Sequence, residues 1–292
     1  MCAIPRRNID ELMFLYEIEP TIKDVFVEGP FDASIINWYI HEKKLLGVSA
    51  YTIDTIDIEQ SLVLQDGESS NNKGRLLYLA KYYFERCTND LGQLTCIVDL
   101  DFCGLLNKKV DIASLLYTDY SCMESYFLSV EIMQKFFIII CNRTNWPVST
   151  ILTTFNNILK TLFIIKLVNV ALGLNLVPLK RLACISLEDW EITFDSDDYI
   201  IRYLNKNNML KKLPEFKKCI KDYNKKLVKD NKYYVNGHDF IILLSWYLHQ
   251  KGVRSRIVNE HNISRILASS LTIEYCDQNK MFKRLLRRLN MN

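Results

Sequence analysis

The sequence predicts an α/β protein with a mostly parallel central sheet flanked by helices, and with an additional α-helical region after it. In the first half, short β-branched runs alternate with stretches whose apolar residues repeat at helical spacing. From about Ser121 onward, helical spacing predominates. The 292 residues are 49% hydrophobic and 24% charged, which is enough apolar material for a substantial core.

Three strands and two helices are predicted in the first half, separated by turn-forming residues. The strands are expected at 25–28, 47–54 and 94–101, with a candidate fourth at 112–119. The helices are expected at 30–44, where Pro30 suits the first turn, and at 75–87. The segment 64–74 is dense in Gly, Ser and Asn and is predicted to be a loop. This order favours parallel pairing, with a ligand site beyond the carboxyl ends of the strands.

The second half is predicted to be helical at 148–177, 200–232, 235–252 and 280–289. The most membrane-like run, 162–179, is interrupted by Lys166, Asn169 and Asn175, whereas a bilayer-spanning helix needs ~20 nearly unbroken apolar residues. We therefore expect a buried core helix there and no membrane association.

Composition predicts a reducing cytoplasmic location. The nine cysteines include no CxxC pair, and the N-terminal residues contain no apolar stretch typical of a cleavable signal. Charge is unevenly distributed, because residues 1–135 have a net charge of −9 and residues 136–292 a net charge of +12. This asymmetry suits a metal centre beside a polyanion-binding surface, and equally a contact between halves or subunits.

Three carboxylates follow predicted strands and form the candidate site. Glu28 ends the run VFVEG, and Asp99 and Asp101 end the run CIVDLD. Side chains two apart on a strand point the same way, so Asp99 and Asp101 could share one Mg²⁺, with Glu28 joining them. Taken alone, a DxD pair is more often a helix cap or a solvated strand end.

The blocks VFVEGPFD and CIVDLDF resemble the Toprim pattern, in which a strand-end Glu and a later DxD bind Mg²⁺. The closer resemblance is to the Toprim-like nucleases typified by AriB, the effector subunit of PARIS anti-phage systems, which are related to the OLD-like nucleases. It covers about residues 20–250 through NNKGRLLYLAKYY, LLYTDYSCMESYFL and VNGHDFIILLSWYL. The residues after 250 contain no motif that matches.

The resemblance implies a Toprim-like catalytic core at 1–128, a mainly helical second region with a basic face at 129–234, and a helical C-terminal region at 235–292. The last would complete the core and make partner or dimer contacts. The implied activity is a metal-dependent endonuclease that cleaves host tRNA in abortive infection. An AriA-like ABC-type ATPase would hold it inactive, and a phage anti-restriction protein would release it as a homodimer.

By the same resemblance, Asp99 and Asp101 would hold Mg²⁺, with Mn²⁺ as a substitute. Glu28 would be a further ligand or a general acid/base on the leaving oxygen. Asp32 could join the ligand shell, or it could be an acid favoured by the helix dipole.

Four further residues have both a functional and a structural interpretation. Glu124 could lie at the site, or it could pair with Ser121 in a capping box, which is the favoured interpretation. Asp119, after an apolar strand, is ambiguous in the same way. His238 could transfer a proton or contact phosphate, but a helix cap is favoured. Lys73 could steady a phosphate, although a lone loop lysine is usually solvated.

The basic run from Arg202 to Lys232 is the predicted nucleic-acid surface, and the alternative is a solvated helix face. The candidate contacts are Lys211, Lys212, Lys217, Lys218, Lys225 and Lys226. Aromatic residues interleaved with them could stack on unpaired bases; these are Tyr203, Phe216, Tyr223, Tyr233 and Tyr234. In the tail, Arg284, Arg287 and Arg288 could bind phosphate or a partner.

Two other classes of function compete with the RNase. An OLD-like Toprim DNase would have the same carboxylates and a different substrate. A degenerate Toprim fold would bind an ATPase and transmit its state without chemistry. The sequence does not distinguish RNA from DNA as the substrate.

Overall fold

The computed structural model describes residues 6–87, 90–179, 184–228, 230–253 and 259–291. Cys2, one of the nine cysteines, and Lys229, within the basic run, lie outside the described residues.

The predicted mixed α/β class is confirmed, with a small, mostly parallel sheet and twelve α-helices in the described part of the chain. The strands are β1 (Arg7–Asn8), β2 (Lys23–Val27), β3 (Val48–Thr52), β4 (Ile56–Asp57), β5 (Leu94–Val98), β6 (Leu115–Tyr117), β7 (Ile185–Glu188) and β8 (Glu191–Phe194). The helices are α1 (Ile9–Ile18), α2 (Pro30–Glu42), α3 (Gln60–Gln65), α4 (Asn72–Arg86), α5 (Val130–Lys135), α6 (Val148–Ala171), α7 (Ser196–Lys206), α8 (Leu213–Lys226), α9 (Gly237–Gln250), α10 (Glu260–Ala268), α11 (Ile273–Gln278) and α12 (Lys280–Leu289). Short 3-10 turns occur at Ile53–Thr55, Met123–Phe127, Leu210–Lys212 and Asn231–Tyr233, and a π-helical turn at Phe136–Ile140.

The central sheet has four parallel strands in the order β3-β2-β5-β6. Phe26 of β2 lies opposite Cys96 of β5, and Val98 of β5 lies opposite Tyr117 of β6. Every residue of β5 is buried, as expected for a strand covered on both faces. Because the strands are parallel, the residues that follow them meet at one edge of the sheet.

The chain divides into two compact units. The first comprises the described residues of Met1–Leu100, Asn107–Asp119 and Thr272–Asn292, and it contains the central sheet. The second comprises those of Asp101–Leu106 and Tyr120–Leu271. These boundaries do not coincide with the predicted ones at 128 and 234, because the chain passes from one unit to the other several times.

Helix α12 completes the core of the first unit, and it has the bounds predicted from its amphipathic pattern. Met281, Phe282 and Leu285 are buried on its inner face. The suggestion that Arg288 contacts phosphate or a partner is wrong, because its side chain is buried and forms an ion pair with Asp90.

Helix α6 is the one described helix long and apolar enough to cross a membrane, and 61% of its most apolar 18-residue stretch is buried inside the protein. A core helix passes the same test of length and composition, so this is weak evidence for a membrane span. The helix ends at Ala171, so the predicted continuation to 177 is not helical.

The predicted loop at 64–74 is shorter than expected, since α4 already begins at Asn72. The side chain of Asn71 caps this helix by accepting the N–H of Gly74. A Cβ at position 74 would lie 1.8 Å from the main-chain oxygen of Ser69, which explains a glycine in the first turn.

The antiparallel hairpin of β7 and β8 was not predicted from the sequence. Its strands are only four residues long and half-exposed, so they lack the apolar β-branched runs that identify the central strands.

Candidate active site

Glu28 and Asp99 lie together at the carboxyl edge of the central sheet, as predicted. Each directly follows one of two adjacent parallel strands, β2 and β5. The Oε1 atom of Glu28 accepts a hydrogen bond from the backbone N–H of Asp99 at 3.1 Å. Both residues are half-buried. The edge therefore holds two carboxylates on neighbouring strand ends, one of them fixed by a main-chain donor.

The backbone after β5 is also held by the strand on its other side. The N–H of Leu100 donates to Oγ1 of Thr118 at 3.0 Å, and the N–H of Thr118 donates to the carbonyl of Val98 at 3.0 Å. Thr118 was not recognised from the sequence, because a threonine after an apolar strand has no distinctive signal.

Lys73 lies beside the two carboxylates. It belongs to the first turn of α4, it is half-buried, and its Nζ donates to the main-chain carbonyl of Asp99. The expectation of a solvated loop lysine is therefore wrong. Its neighbour Asn72, which sequence reasoning missed, donates from Nδ2 to the carbonyl of Glu28 at 2.8 Å. The start of α4 thus binds the backbone of both strand ends.

Asp101 is not placed by strand alternation. Strand β5 ends at Val98, and Asp101 has a φ of +42°, in the left-handed region that Asp tolerates better than most residues. The prediction that Asp99 and Asp101 share one face of a strand is therefore wrong. Asp101 belongs to the second unit, where its N–H donates to the carbonyl of Ser121 at 2.8 Å.

Asp32 is in the first turn of α2 and is half-buried. Its Oδ2 atom lies 3.7 Å from the position that a Cβ would take at Gly29. This placement suits an acid favoured by the helix dipole. The ligand interpretation stays a prediction.

Asp119 has a structural contact at the same edge of the sheet. It follows β6 by two residues, and its Oδ2 accepts the N–H of Met281 at 3.0 Å. The cap residue of α12, Asn279, makes no side-chain cap bond to that helix. Asp119 therefore satisfies a backbone donor in the first turn of α12.

Glu124 packs against the start of α9 in the second unit. A Cβ at Gly237 would lie 2.1 Å from Oε2 of Glu124, so any larger residue at position 237 would require the Glu124 carboxyl group to move. The pKa of Glu124 is raised above its usual value, because burial disfavours the charged carboxylate and the negative charge of Asp101 acts in the same direction. Hydrogen bonds from its own N–H and from Cys122, together with the nearby His238, offset part of this rise. Asp101 and His238 thus each lie close enough to Glu124 to influence its pKa.

The capping box predicted for Ser121 and Glu124 is wrong. The turn at Met123–Phe127 has Cys122 as its cap residue and no side-chain cap bond. Ser121 instead accepts the N–H of Val235 at 3.0 Å and donates its hydroxyl proton to the Val235 carbonyl.

The preference for His238 as a helix cap is also wrong. Asn236 caps α9, and its side chain accepts the N–H of Asp239 at 3.3 Å. Asp239 is held by Lys166, whose Nζ lies 2.7 Å from Oδ2. His238 is the second residue of the helix and is exposed, so it is accessible for a contact with phosphate or for proton transfer.

Glu28 and Asp99 could supply metal ligands in the first unit, since Mg²⁺ favours carboxylate oxygens and keeps several waters. Within the described ranges, no group of three or more His, Cys, Asp or Glu side chains forms a ready metal site.

The predicted basic surface lies on α8 and the turn before it. Lys211, Lys212, Lys218, Lys225 and Lys226 are exposed, and Lys217 is half-buried.

The proposal that five aromatic residues near α8 stack on bases fails for three of them. Tyr203, Phe216 and Tyr234 are buried in the core. Tyr233 is half-buried and packs edge-on against Tyr120 at 4.9 Å between ring centroids. The aromatic positions mainly build the fold of the second unit.

Neither the family models nor the curated proteins compared with this chain match it.

Proposed function

We propose that this protein is a Mg²⁺-dependent endonuclease with a Toprim-like core that cleaves structured RNA, and tRNA in particular. The observation that carries the proposal is the hydrogen bond of Glu28 to the N–H of Asp99 at the ends of adjacent parallel strands. Such an edge is where open α/β sheets bind ligands. The Toprim assignment and the choice of RNA are supported by the resemblance of the sequence blocks, and a polyanionic substrate is supported by the basic second half.

Four side chains of the protein are proposed to take part in the reaction. Bound Mg²⁺ would act as a Lewis acid and orient an attacking water. Asp99 is proposed to supply a ligand oxygen, and Asp101 to supply another by analogy with the DxD motif. Glu28 is proposed to be either a ligand or the group that exchanges a proton with the leaving oxygen. Lys73, held on the carbonyl of Asp99, adds positive charge where a phosphate would bind.

The cellular setting follows from the resemblance alone. We propose that an AriA-like ATPase restrains the nuclease in the cytoplasm, that a phage anti-restriction protein triggers its release, and that the active form is a homodimer. Cleavage of host tRNA would then arrest translation.

The test is to incubate the purified protein with total tRNA and with plasmid DNA side by side, in Mg²⁺, in Mn²⁺ and in EDTA. We expect tRNA fragments in either metal and none in EDTA. Cleavage of DNA alone would contradict the RNase and support an OLD-like DNase. If neither is cut, and calorimetry detects no metal binding with or without tRNA, the protein is instead a regulatory module.

A further inference from the structure

The lysines of α8 and of the turn before it fall into two sets. The first set is engaged within the protein. Lys212 pairs with Glu215 at 2.8 Å, and Lys217 pairs with Asp197 at 2.6 Å. The Nζ of Lys226 lies 4.9 Å from the ring centroid of Tyr223. Each of these cations already has a favourable neighbour, so these three lysines, although predicted from the sequence as nucleic-acid contacts, are excluded from the binding surface.

The second set forms what we call the lysine row, which consists of Lys218, Lys221 and Lys225. All three are exposed, and none makes an ion pair or hydrogen bond to another residue in the described part of the chain. Lys221 was not among the lysines predicted from the sequence. Lys211, in the turn before the helix, is exposed and has no such contact with any described residue either.

Helix geometry places the lysine row on one face. Residues at i, i+3 and i+7 share a side of an α-helix, and this side lies opposite Phe216, which is fully buried. Seven residues rise about 10 Å along the axis, so three positive charges lie along a line of that length. A regular row of exposed cations suits a ligand with repeated negative charges.

We propose that the lysine row binds the phosphate backbone of RNA. This inference rests on the proposed function for its choice of RNA. A membrane-surface helix would offer an exposed apolar face beside its lysines, whereas the apolar side of α8 is turned into the protein through Phe216. Lysine ammonium groups act on phosphates as point charges, and contacts to phosphates carry no sequence information directly. The contact therefore recognises charge and shape rather than sequence.

Asp222 provides an internal control for this proposal. It is exposed, four residues after Lys218 and three before Lys225, and it makes no ion pair with either among the described contacts. A lysine that precedes an acid by four residues is the weaker orientation for a helical pair. Asp222 therefore places a negative charge beside the lysine row, and its removal is expected to strengthen RNA binding.

The experiment measures binding of intact tRNA in EDTA, where metal-dependent cleavage is absent, over a series of salt concentrations. The variant K218Q/K221Q/K225Q removes the lysine row. The matched control K212Q/K217Q/K226Q removes the same charge from α8 and the residue before it, at the engaged positions. Each lost phosphate contact reduces the magnitude of the slope of log K against log[salt] by about 1. The slope of the row variant should therefore be smaller in magnitude than that of the parent by about 3.

We expect the row variant to bind tRNA at least about tenfold more weakly at physiological salt, the control variant to bind within about twofold of the parent, and D222N to bind more tightly. Equal losses in the two triple variants, or an unchanged salt slope in the row variant, would overturn the proposal. So would lysine-dependent binding to vesicles containing anionic lipid, with no lysine-dependent binding to tRNA.

The binding of tRNA by the lysine row and the cleavage of tRNA at Glu28 can be refuted independently of each other. E28Q should keep the parental salt slope in EDTA, because it leaves all three lysines of the row in place. If E28Q still cleaves tRNA in Mg²⁺, the catalytic assignment fails while the binding result stands. If the row variant binds normally and E28Q is inactive, only the lysine row is refuted.

Discussion

Glu124 has a carboxylate whose environment opposes its charge. Burial against Gly237 raises its pKa, and the negative charge of Asp101 acts in the same direction, while His238 opposes them. In the unfolded chain a glutamate titrates at about 4.3. The folded protein therefore keeps this proton at pH values where the unfolded chain has lost it, and its free energy of unfolding falls as the pH rises from that value through the folded pKa.

The substitution Glu124→Gln is predicted to gain stability relative to the parent as the pH rises. Glutamine is neutral and of similar shape, so it lacks the cost of ionising a buried carboxyl, which is about 1.4 kcal/mol per unit of pKa shift. Urea unfolding at pH 4 and pH 7.5 measures the difference. Glu131→Gln, at an exposed position, is the matched control.

The prediction is wrong if the stability of Glu124→Gln relative to the parent stays constant or falls between pH 4 and pH 7.5. Glu124 would then ionise in the folded protein at least as readily as in water.

At the residue scale, the sequence predicted which carboxylates follow strands but not what each side chain touches. Glu28 and Asp99 could be paired from the strand pattern, because parallel strand ends meet at one edge. Lys73 was assigned to a loop, since only the folded chain brings the first turn of α4 to the carbonyl of Asp99. Ser121 has the spacing of a capping box, yet its hydroxyl bonds Val235, 114 residues away.

Helix α12 shows how a basic amphipathic element can be part of a core. Arg288 is 7% exposed. Its guanidinium bonds both carboxylate oxygens of Asp90, at 3.0 and 3.2 Å, and the carbonyl of Leu94 at 3.0 Å. These contacts fix the last turn of α12 to the start of β5. Burial works to raise the pKa of Asp90, but the bonds from Arg288 and from the N–H of Gly92 outweigh it and lower that pKa.

Arg288→Ala is predicted to destabilise the protein by about 2–3 kcal/mol at pH 7. This is less than the ~3–5 kcal/mol for breaking a fully buried pair, because the Asp90 side chain is 21% exposed. The change leaves Asp90 and the Leu94 carbonyl without their cationic donor. Arg287→Ala, on the exposed face of the same turn, should change stability by no more than about 0.5 kcal/mol.

The loss in Arg288→Ala should shrink on acidification. A lowered pKa of Asp90 stabilises the fold above the usual titration range of aspartate, and that contribution is lost as the pH falls through the folded pKa. Guanidinium unfolding of both variants at pH 7 and pH 3 tests this. Equal losses for positions 287 and 288 would refute a structural role for the Arg288 pair.

At the element scale, the most periodic segments were the most predictable. The central strands and helices α2, α9 and α12 were located within a few residues, because buried parallel strands are continuous apolar runs and these helices have clear starts or ends. The β7–β8 hairpin and the 3-10 turn at Met123–Phe127 were missed, since short, half-exposed or irregular elements owe their form to tertiary packing.

The whole molecule brings together distant parts of the chain. Residues 272–291 pack with the N-terminal sheet in the first unit, and 101–106 belong with the second. Domain limits read along the sequence cannot represent such an arrangement, because each predicted segment was continuous. The first half has an excess of negative charge and the second an excess of positive charge. This distribution is consistent with metal binding by carboxylates in the first half and phosphate binding by the lysine row in the second.

The most direct measurement of the central claim is the rate of tRNA cleavage in Mg²⁺ by Glu28→Gln. Glutamine can still accept the N–H of Asp99 through its amide oxygen, so the strand ends should keep their geometry while the negative charge is lost. Glu42→Gln, at the exposed end of α2, removes the same charge away from the sheet edge. We predict that Glu28→Gln loses at least about 100-fold in rate with an unchanged unfolding midpoint, and that Glu42→Gln cleaves like the parent. Cleavage by Glu28→Gln at the parental rate would contradict the account.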